Sequence, residues 1–127
     1  PWAFGAAGHP DARTPNMDRL CREGARLTNC FVATPVCSAS RAALMTSRYP
    51  TEVGITDYLS PSRMPDLGLN PALPVWPRLL SAAGYRTALI GKWHLGETDR
   101  YHPTKFGYDL FTGFRHGGMT SQNPLVE

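Results

Sequence analysis

The run Tyr85-Arg86-Thr87-Ala88-Leu89-Ile90 limits the fold more than any other stretch of the chain. It is nearly all apolar or β-branched and lacks strict alternation, the pattern of a strand buried on both faces in a parallel sheet. Ahead of it, Val75, Leu79, Leu80 and Ala83 recur at the spacing of one helix face, and Gly84 supplies a stop. A helix leading into a buried strand is half of a βαβ unit, so the chain is predicted to be α/β with a mostly parallel sheet and long loops. Directly after the strand come Gly91-Lys92-Trp93-His94-Leu95-Gly96. Open α/β sheets bind ligands beyond the carboxyl ends of their strands. Alternation along an extended chain would point Lys92 and His94 the same way. A fixed ammonium and an imidazole aimed at one spot suit charge developing on an oxygen leaving group. A snorkelling lysine and a hydrogen-bonded histidine fit the same residues.

A second stretch, Pro35-Val36-Cys37-Ser38-Ala39-Ser40-Arg41-Ala42-Ala43-Leu44-Met45-Thr46-Ser47-Arg48, carries a lone cysteine where a turn gives way to a predicted helix. Residues four apart share a helix face, so Arg41 can stand beside Cys37. A helix N-terminus offers free N–H groups and the positive end of the dipole. On the residues alone two readings stand: a nucleophile in an oxyanion pocket, or a small buried thiol with a solvated arginine.

The remaining segments frame these two. Residues 1–13 read as loop, with Trp2 and Phe4 packing its base. Thr14-Pro15-Asn16-Met17-Asp18 opens a helix, with Thr14 as N-cap, Pro15 at the first position and Gly24 as the stop. Met17, Leu20, Cys21 and Ala25 form its predicted buried stripe. Arg26 to Ala33 is predicted as a short strand, which would put Cys37 at a strand-to-helix turn, where nucleophiles stand clear of a sheet. The proline-punctuated stretch from Pro50 to Pro74 is predicted loop, of a length that tends to be functional or to cover a site. Glu97 to Lys105 is loop, Phe106 to Gly113 a short strand with turns, and Met119 to Glu127 loop. His102 and His116 either cap turns or face substrate.

Composition excludes several classes. Thirteen basic against ten acidic residues give a net charge of +3, too small and too scattered for a nucleic-acid surface. No apolar run is long enough to span a membrane. Three cysteines with no metal-type spacing argue against a disulfide framework; Cys21 and Cys30 are predicted core residues.

Cys37-Ser38-Ala39-Ser40-Arg41 resembles the Cys-x-(Pro/Ala)-x-Arg signature of the type I sulfatases, with Ala39 where proline is commoner and Ser47 where the extension usually has glycine. Gly84-Tyr85-x-Thr87-x-x-x-Gly91-Lys92-x-His94-Leu95-Gly96 resembles the second signature of that family, in the right order. Thr14 to Leu20 and the Phe106 to Gly113 segment are also similar to it. In that family the region corresponding to 50–74 contributes to the pocket rim, so the resemblance implies Asp57 and Tyr58 as candidate substrate contacts. The resemblance implies an alkaline-phosphatase-like α/β sandwich, with residues 1–127 as a single, truncated N-terminal portion of the catalytic domain. It implies oxidation of Cys37 to formylglycine by a maturation enzyme. The hydrated aldehyde would attack a sulfate ester, the alcohol would leave with help from Lys92 and His94, and the aldehyde would re-form as sulfate departs. Arg41 would stabilise the hydrated aldehyde. Ca²⁺ is the implied cation, with modified Cys37 its one ligand here and the family's leading aspartates and later ligands outside the chain. The implied substrate is a small-molecule or glycan sulfate ester. The implied setting of the parent is secreted, periplasmic or lysosomal. A phosphodiester or phosphonate monoester hydrolase of the same superfamily, or an inactive anion-binding fragment, are the alternatives.

Overall fold

A computed structural model describes residues 3–118; Trp2 and the predicted loop at 119–127 lie outside the described residues. The chain divides into two compact units, Pro1–Phe31 and Val32–Glu127.

In the first unit a 3₁₀ turn at Gly5–Ala7 precedes helix α1, Pro15–Glu23. Proline at the first position and Gly24 at the end are as the sequence predicts. Thr14 holds the N-cap position without capping α1. Its hydroxyl accepts from the Gly5 N–H at 2.9 Å and donates to Asp18 Oδ1 at 3.0 Å. The same carboxylate oxygen accepts the Ala6 N–H at 2.7 Å, so Asp18 serves the neighbouring turn. The predicted buried stripe is not buried: Met17 is 52% and Leu20 72% exposed, Ala25 is exposed and Cys21 is half-buried. A unit this short cannot enclose a helix face within itself.

The predicted strand at 26–33 does not form. Leu27, Phe31 and Val32 are exposed, as is Cys30, which is therefore not a core residue. A strand exists only as a member of a ladder, and among the described residues no segment pairs with this one. Cys37 consequently follows irregular backbone rather than a strand.

In the second unit, helix α2 spans Cys37–Thr46, with Cys37 as its first residue. Its inner face is Ser38, Ala39, Ala42, Met45 and Thr46, small enough over the first two turns for close approach. The helix ends at Ser47, in left-handed conformation at φ 55°, whose N–H bonds the Ala43 carbonyl at 2.8 Å. Residues 50–74 form no helix or strand, as predicted, yet send Ile55, Leu59 and Leu69 into the core.

Helix α3, Trp76–Ala82, is a residue shorter at each end than predicted. Val75 is buried, but Leu79 and Leu80 are 65% and 38% exposed, and Ala83 is exposed too. Pro77 and Arg78 set the orientation of α3 instead. Pro77 is buried, and the Arg78 guanidinium donates to the carbonyls of Pro71 (3.0 Å), Leu73 (3.2 Å) and Lys105 (2.6 Å).

Strand β1, Ala88–Lys92, starts later than predicted and runs parallel to β2, Leu110–Phe114, in the register Ala88↔Leu110 to Lys92↔Phe114. A clasp before the strands sets that register. The Thr87 N–H donates to Asp109 Oδ2 at 2.7 Å, the Thr87 hydroxyl to the Gly107 carbonyl at 2.6 Å, and the Asp109 N–H to the Thr87 carbonyl at 2.9 Å. These bonds also favour the ionised Asp109 carboxyl and hold its pKa below the ordinary value, the Thr87 N–H contributing most. Parallel pairing is as predicted; burial of both faces is not, since Ile90 is 78% exposed. The two strands pack one face on a core of Trp93, Leu95, Phe106, Tyr108 and Phe111.

Ser47 occupies a conformation that costs an L-residue about 1 kcal/mol relative to glycine. Ser47→Gly is expected to raise the unfolding free energy by roughly that amount, read as a higher urea midpoint at unchanged slope.

Candidate functional site

The site is assembled from the start of α2, the end of β1, and two points on irregular backbone. Cys37 opens α2 because Pro35 and the extended Val36 stop any earlier helical turn. The thiol is free and half-buried, and with Ser40 and Arg41 it lines a depression of ≈ 370 Å³. A hollow of ≈ 410 Å³ at the opposite end of α2, lined by Ser47, Arg48, Tyr49 and Glu52, holds none of the candidate residues.

Arg41 connects the two signature stretches. Its Nη1 donates to the Lys92 carbonyl at 2.6 Å, across 51 residues of sequence. Lys92 closes β1, and its ammonium donates to the Gly117 carbonyl. His94 lies just past the strand, 1% exposed and at φ 58°. Strand alternation therefore does not decide where its ring goes. The His94 N–H donates to the Arg115 carbonyl at 3.0 Å, which continues the pairing with the end of β2. The ring meets Tyr58 edge-on with centroids 4.6 Å apart.

The imidazole has a defined protonation pattern. Nε2 lies 3.0 Å from the Leu59 carbonyl, which can only accept, so Nε2 carries the hydrogen. Nδ1 is buried and, among the described residues, has no hydrogen-bond partner. Burial holds the His94 pKa below its ordinary value; the Leu59 hydrogen bond opposes this, while the charges of Lys92, Arg41 and His116 reinforce it. His94 is thus a neutral imidazole with a bare Nδ1, a proton acceptor rather than a donor at neutral pH. A non-glycine residue in left-handed conformation at such a position is strain of the kind found where function constrains the backbone.

Arg41, Lys92 and His94 come together through the Arg41 bond to the Lys92 carbonyl and the charges that act on His94, and Cys37 shares its depression with Arg41. Tyr58 joins them at the ring, whereas Asp57 is exposed and bonds its own neighbour, the Tyr58 N–H, at 2.7 Å. His116 is near enough to act electrostatically on His94 and stacks edge-on against Phe114 at 5.8 Å. His102 caps a turn: its ring accepts from the Thr104 N–H. Sequence reasoning missed Ser38, whose buried hydroxyl accepts the Leu59 N–H at 3.1 Å, and the carbonyls of Leu59 and Gly117. A backbone group leaves no mark in side-chain type, so only Ser38 was open to discovery.

For a metal, the described residues hold no cluster of three or more His, Cys, Asp or Glu. The groups around Cys37 are cationic or neutral, unlike the oxygen-rich shell Ca²⁺ takes. This segment does not by itself fit the ion.

Comparison with known proteins identifies the family. The Sulfatase family model matches residues 2–127. The chain is 43% identical over 122 residues to steryl-sulfatase of Mus musculus, covering 87% of this chain and 19% of that protein. It is 38% identical over 117 residues to N-acetylgalactosamine-6-sulfatase of Homo sapiens, covering 87% and 22%. The chain thus spans about a fifth of the length of these curated relatives. Among solved structures it is similar to Ps i-CgsB, with TM-score 0.84, 40% identity, and 93% of this chain and 26% of that one covered. That protein has also been solved in complex with k-i-k-neocarrahexaose. The α/β class, with its parallel sheet, is that of the alkaline-phosphatase-like sulfatases. With the cysteine and lysine–histidine stretches meeting in one site, this chain belongs to the sulfatase family.

Proposed function

We propose that this segment carries the nucleophile and the proton-handling residues of a sulfuric ester hydrolase, acting through a formylglycine made from Cys37. The observation that carries the reading is the junction itself. Cys37, at the first position of α2, stands one turn from an arginine that is bonded to the backbone of Lys92, with His94 two residues on. The hydrated aldehyde would supply an oxygen nucleophile and a built-in route for sulfate release. The protein's own residues do the rest. Arg41 and Lys92 bond neutral carbonyls and keep their full positive charge for the sulfate oxygens and the oxygen that departs. His94 takes the proton of the attacking hydroxyl at Nδ1 as the sulfur–oxygen bond forms and gives it to the alcohol oxygen as its bond to sulfur breaks.

Ca²⁺ is part of the family expectation, and modified Cys37 is the one ligand this segment would offer; no step is routed through it. For the substrate, relatives act under names that include a sterol and an amino sugar, and a structural neighbour binds a neocarrahexaose. A sulfate ester on a small molecule or glycan is the class they share. Paired assay of an aryl sulfate and an aryl phosphodiester separates this reaction from that of the phosphodiester and phosphonate hydrolases.

The deciding experiment is the mass of the Cys37 peptide from protein made in a host that matures such sites. An aldehyde mass is expected; an intact thiol would overturn the reading. Cys37→Ala should abolish sulfate-ester turnover and leave the circular dichroism unchanged. Lys92→Ala should lower kcat by roughly ten- to a thousandfold, the range for a lost electrostatic stabiliser; an unaltered rate would show that its charge does not act on the reaction. Because the base form of His94 is the neutral one and its pKa is lowered, activity should persist as pH falls through about 6.5, the ordinary histidine value. The acid limb of kcat/KM is expected below it, and a limb above that value would remove His94 as the base.

A further inference from the structure

One fully buried polar side chain has no part in the mechanism above. Ser38 is the second residue of α2, next to Cys37, and its exposure is 0%. We propose that Ser38 is a positioning residue for His94: its hydroxyl holds the backbone of Leu59, and the Leu59 carbonyl holds the imidazole by Nε2–H, leaving Nδ1 bare. This rests on the reading of His94 as the group that moves the proton.

The argument runs through one residue's backbone. Leu59 lies in the irregular 50–74 stretch, where no ladder or helix fixes a peptide plane. Its side chain is in the core, which fixes where the residue sits but not how its peptide groups are turned. The Ser38 hydroxyl supplies the missing restraint by accepting the Leu59 N–H at 3.1 Å, across 21 residues. With that N–H fixed, the carbonyl of the same residue is limited to the small range its φ and ψ allow, and it meets Nε2 at 3.0 Å, across 35 residues. Every atom of this chain is shielded: Leu59 is 5% and His94 1% exposed. Water therefore offers no substitute partner for either bond.

The other restraints on His94 act on different features. The Arg115 carbonyl holds its main-chain N–H, and Tyr58 holds the ring by packing. Neither determines which nitrogen carries hydrogen. Among the described residues only the Leu59 carbonyl does, because it accepts and cannot donate. Outer partners of this kind orient a functional histidine and set its tautomer. The same turn of helix that presents Cys37 thus also orients the base, which ties nucleophile and base to one rigid element.

The test uses ¹⁵N-histidine-labelled protein carrying this segment, with Ser38→Ala and Ser38→Thr variants matched by circular dichroism. In the wild type the Nε2–H proton of His94 should give a slowly exchanging resonance at neutral pH. In Ser38→Ala that proton and the Leu59 amide should both exchange at least about tenfold faster. The kcat per aldehyde-bearing site should fall by roughly tenfold to a hundredfold, with KM little changed, the scale of loss when a catalytic group is misplaced. Ser38→Thr keeps the hydroxyl and should restore both readouts. Unchanged Nε2–H exchange in Ser38→Ala overturns the proposal whatever the activity, and faster exchange with unaltered kcat per converted site overturns it as well. Because Ser38 lies beside the residue to be modified, the Cys37 peptide mass is measured in each variant. An unconverted thiol in the wild type would refute the sulfatase chemistry while the exchange readout still decides the Ser38–Leu59–His94 chain.

Discussion

The Arg41 guanidinium donates to the Lys92 carbonyl over 2.6 Å, and the geometry of the site depends on that bond. The acceptor is the last carbonyl of β1, and its orientation is already set: the next residue, Trp93, donates its N–H to the Phe114 carbonyl at 2.9 Å, and its ring is buried. A charged donor on a fixed carbonyl contributes about 1.5–3 kcal/mol. It also fixes the rotation of α2 about its axis. With Arg41 directed at the strand end, Ser38, Ala42 and Met45 must face the core and Cys37 must face the depression that Arg41 shares. Lysine could not do this equivalently, since a flexible ammonium lacks the planar fork that defines direction.

Features written in local chemistry were legible in the sequence. Pro35 ahead of Cys37 marked the start of α2, Pro15 and Gly24 bracketed α1, and five prolines marked 50–74 as irregular. The parallel pairing was legible because a helix led directly into an apolar run. Burial was not legible, because it belongs to the partner surface and not to the segment. Leu20, Leu79 and Ile90 carry the right pattern and remain exposed, and the apolar run at 26–33 has no strand to pair with among the described residues. The expected shared direction of Lys92 and His94 rested on a premise that the backbone does not meet. It assumed extended backbone through residue 94, whereas β1 stops at Lys92 and His94 turns left-handed.

The three donors of the site end on backbone carbonyls: Arg41 on Lys92, Lys92 on Gly117, and His94 on Leu59. This choice has an electrostatic consequence that carboxylate partners would have removed. A carbonyl orients a cation without neutralising it. Among the described residues the ion pairs involve neither Arg41 nor Lys92. Arg41 and Lys92 therefore keep positive charges that no carboxylate among the described residues pairs, which favours an anion over a neutral molecule there.

The same charges help to hold the histidine neutral. Burial comes first in depressing the His94 pKa, and Lys92 and Arg41 add to it. A carboxylate paired with either cation would weaken that effect and bring the imidazole closer to protonation. Under the proposed reaction an arriving sulfate ester would weaken it, because its negative charge favours the protonated ring. The arrangement thus holds the ring neutral while the site is empty and makes a proton on Nδ1 less costly once the substrate anion is in place. That order is what a group needs if it must first accept a proton and then deliver it to a departing alcohol. It requires only that the ring keep Nε2 engaged throughout, and that engagement depends on the position of the Leu59 carbonyl.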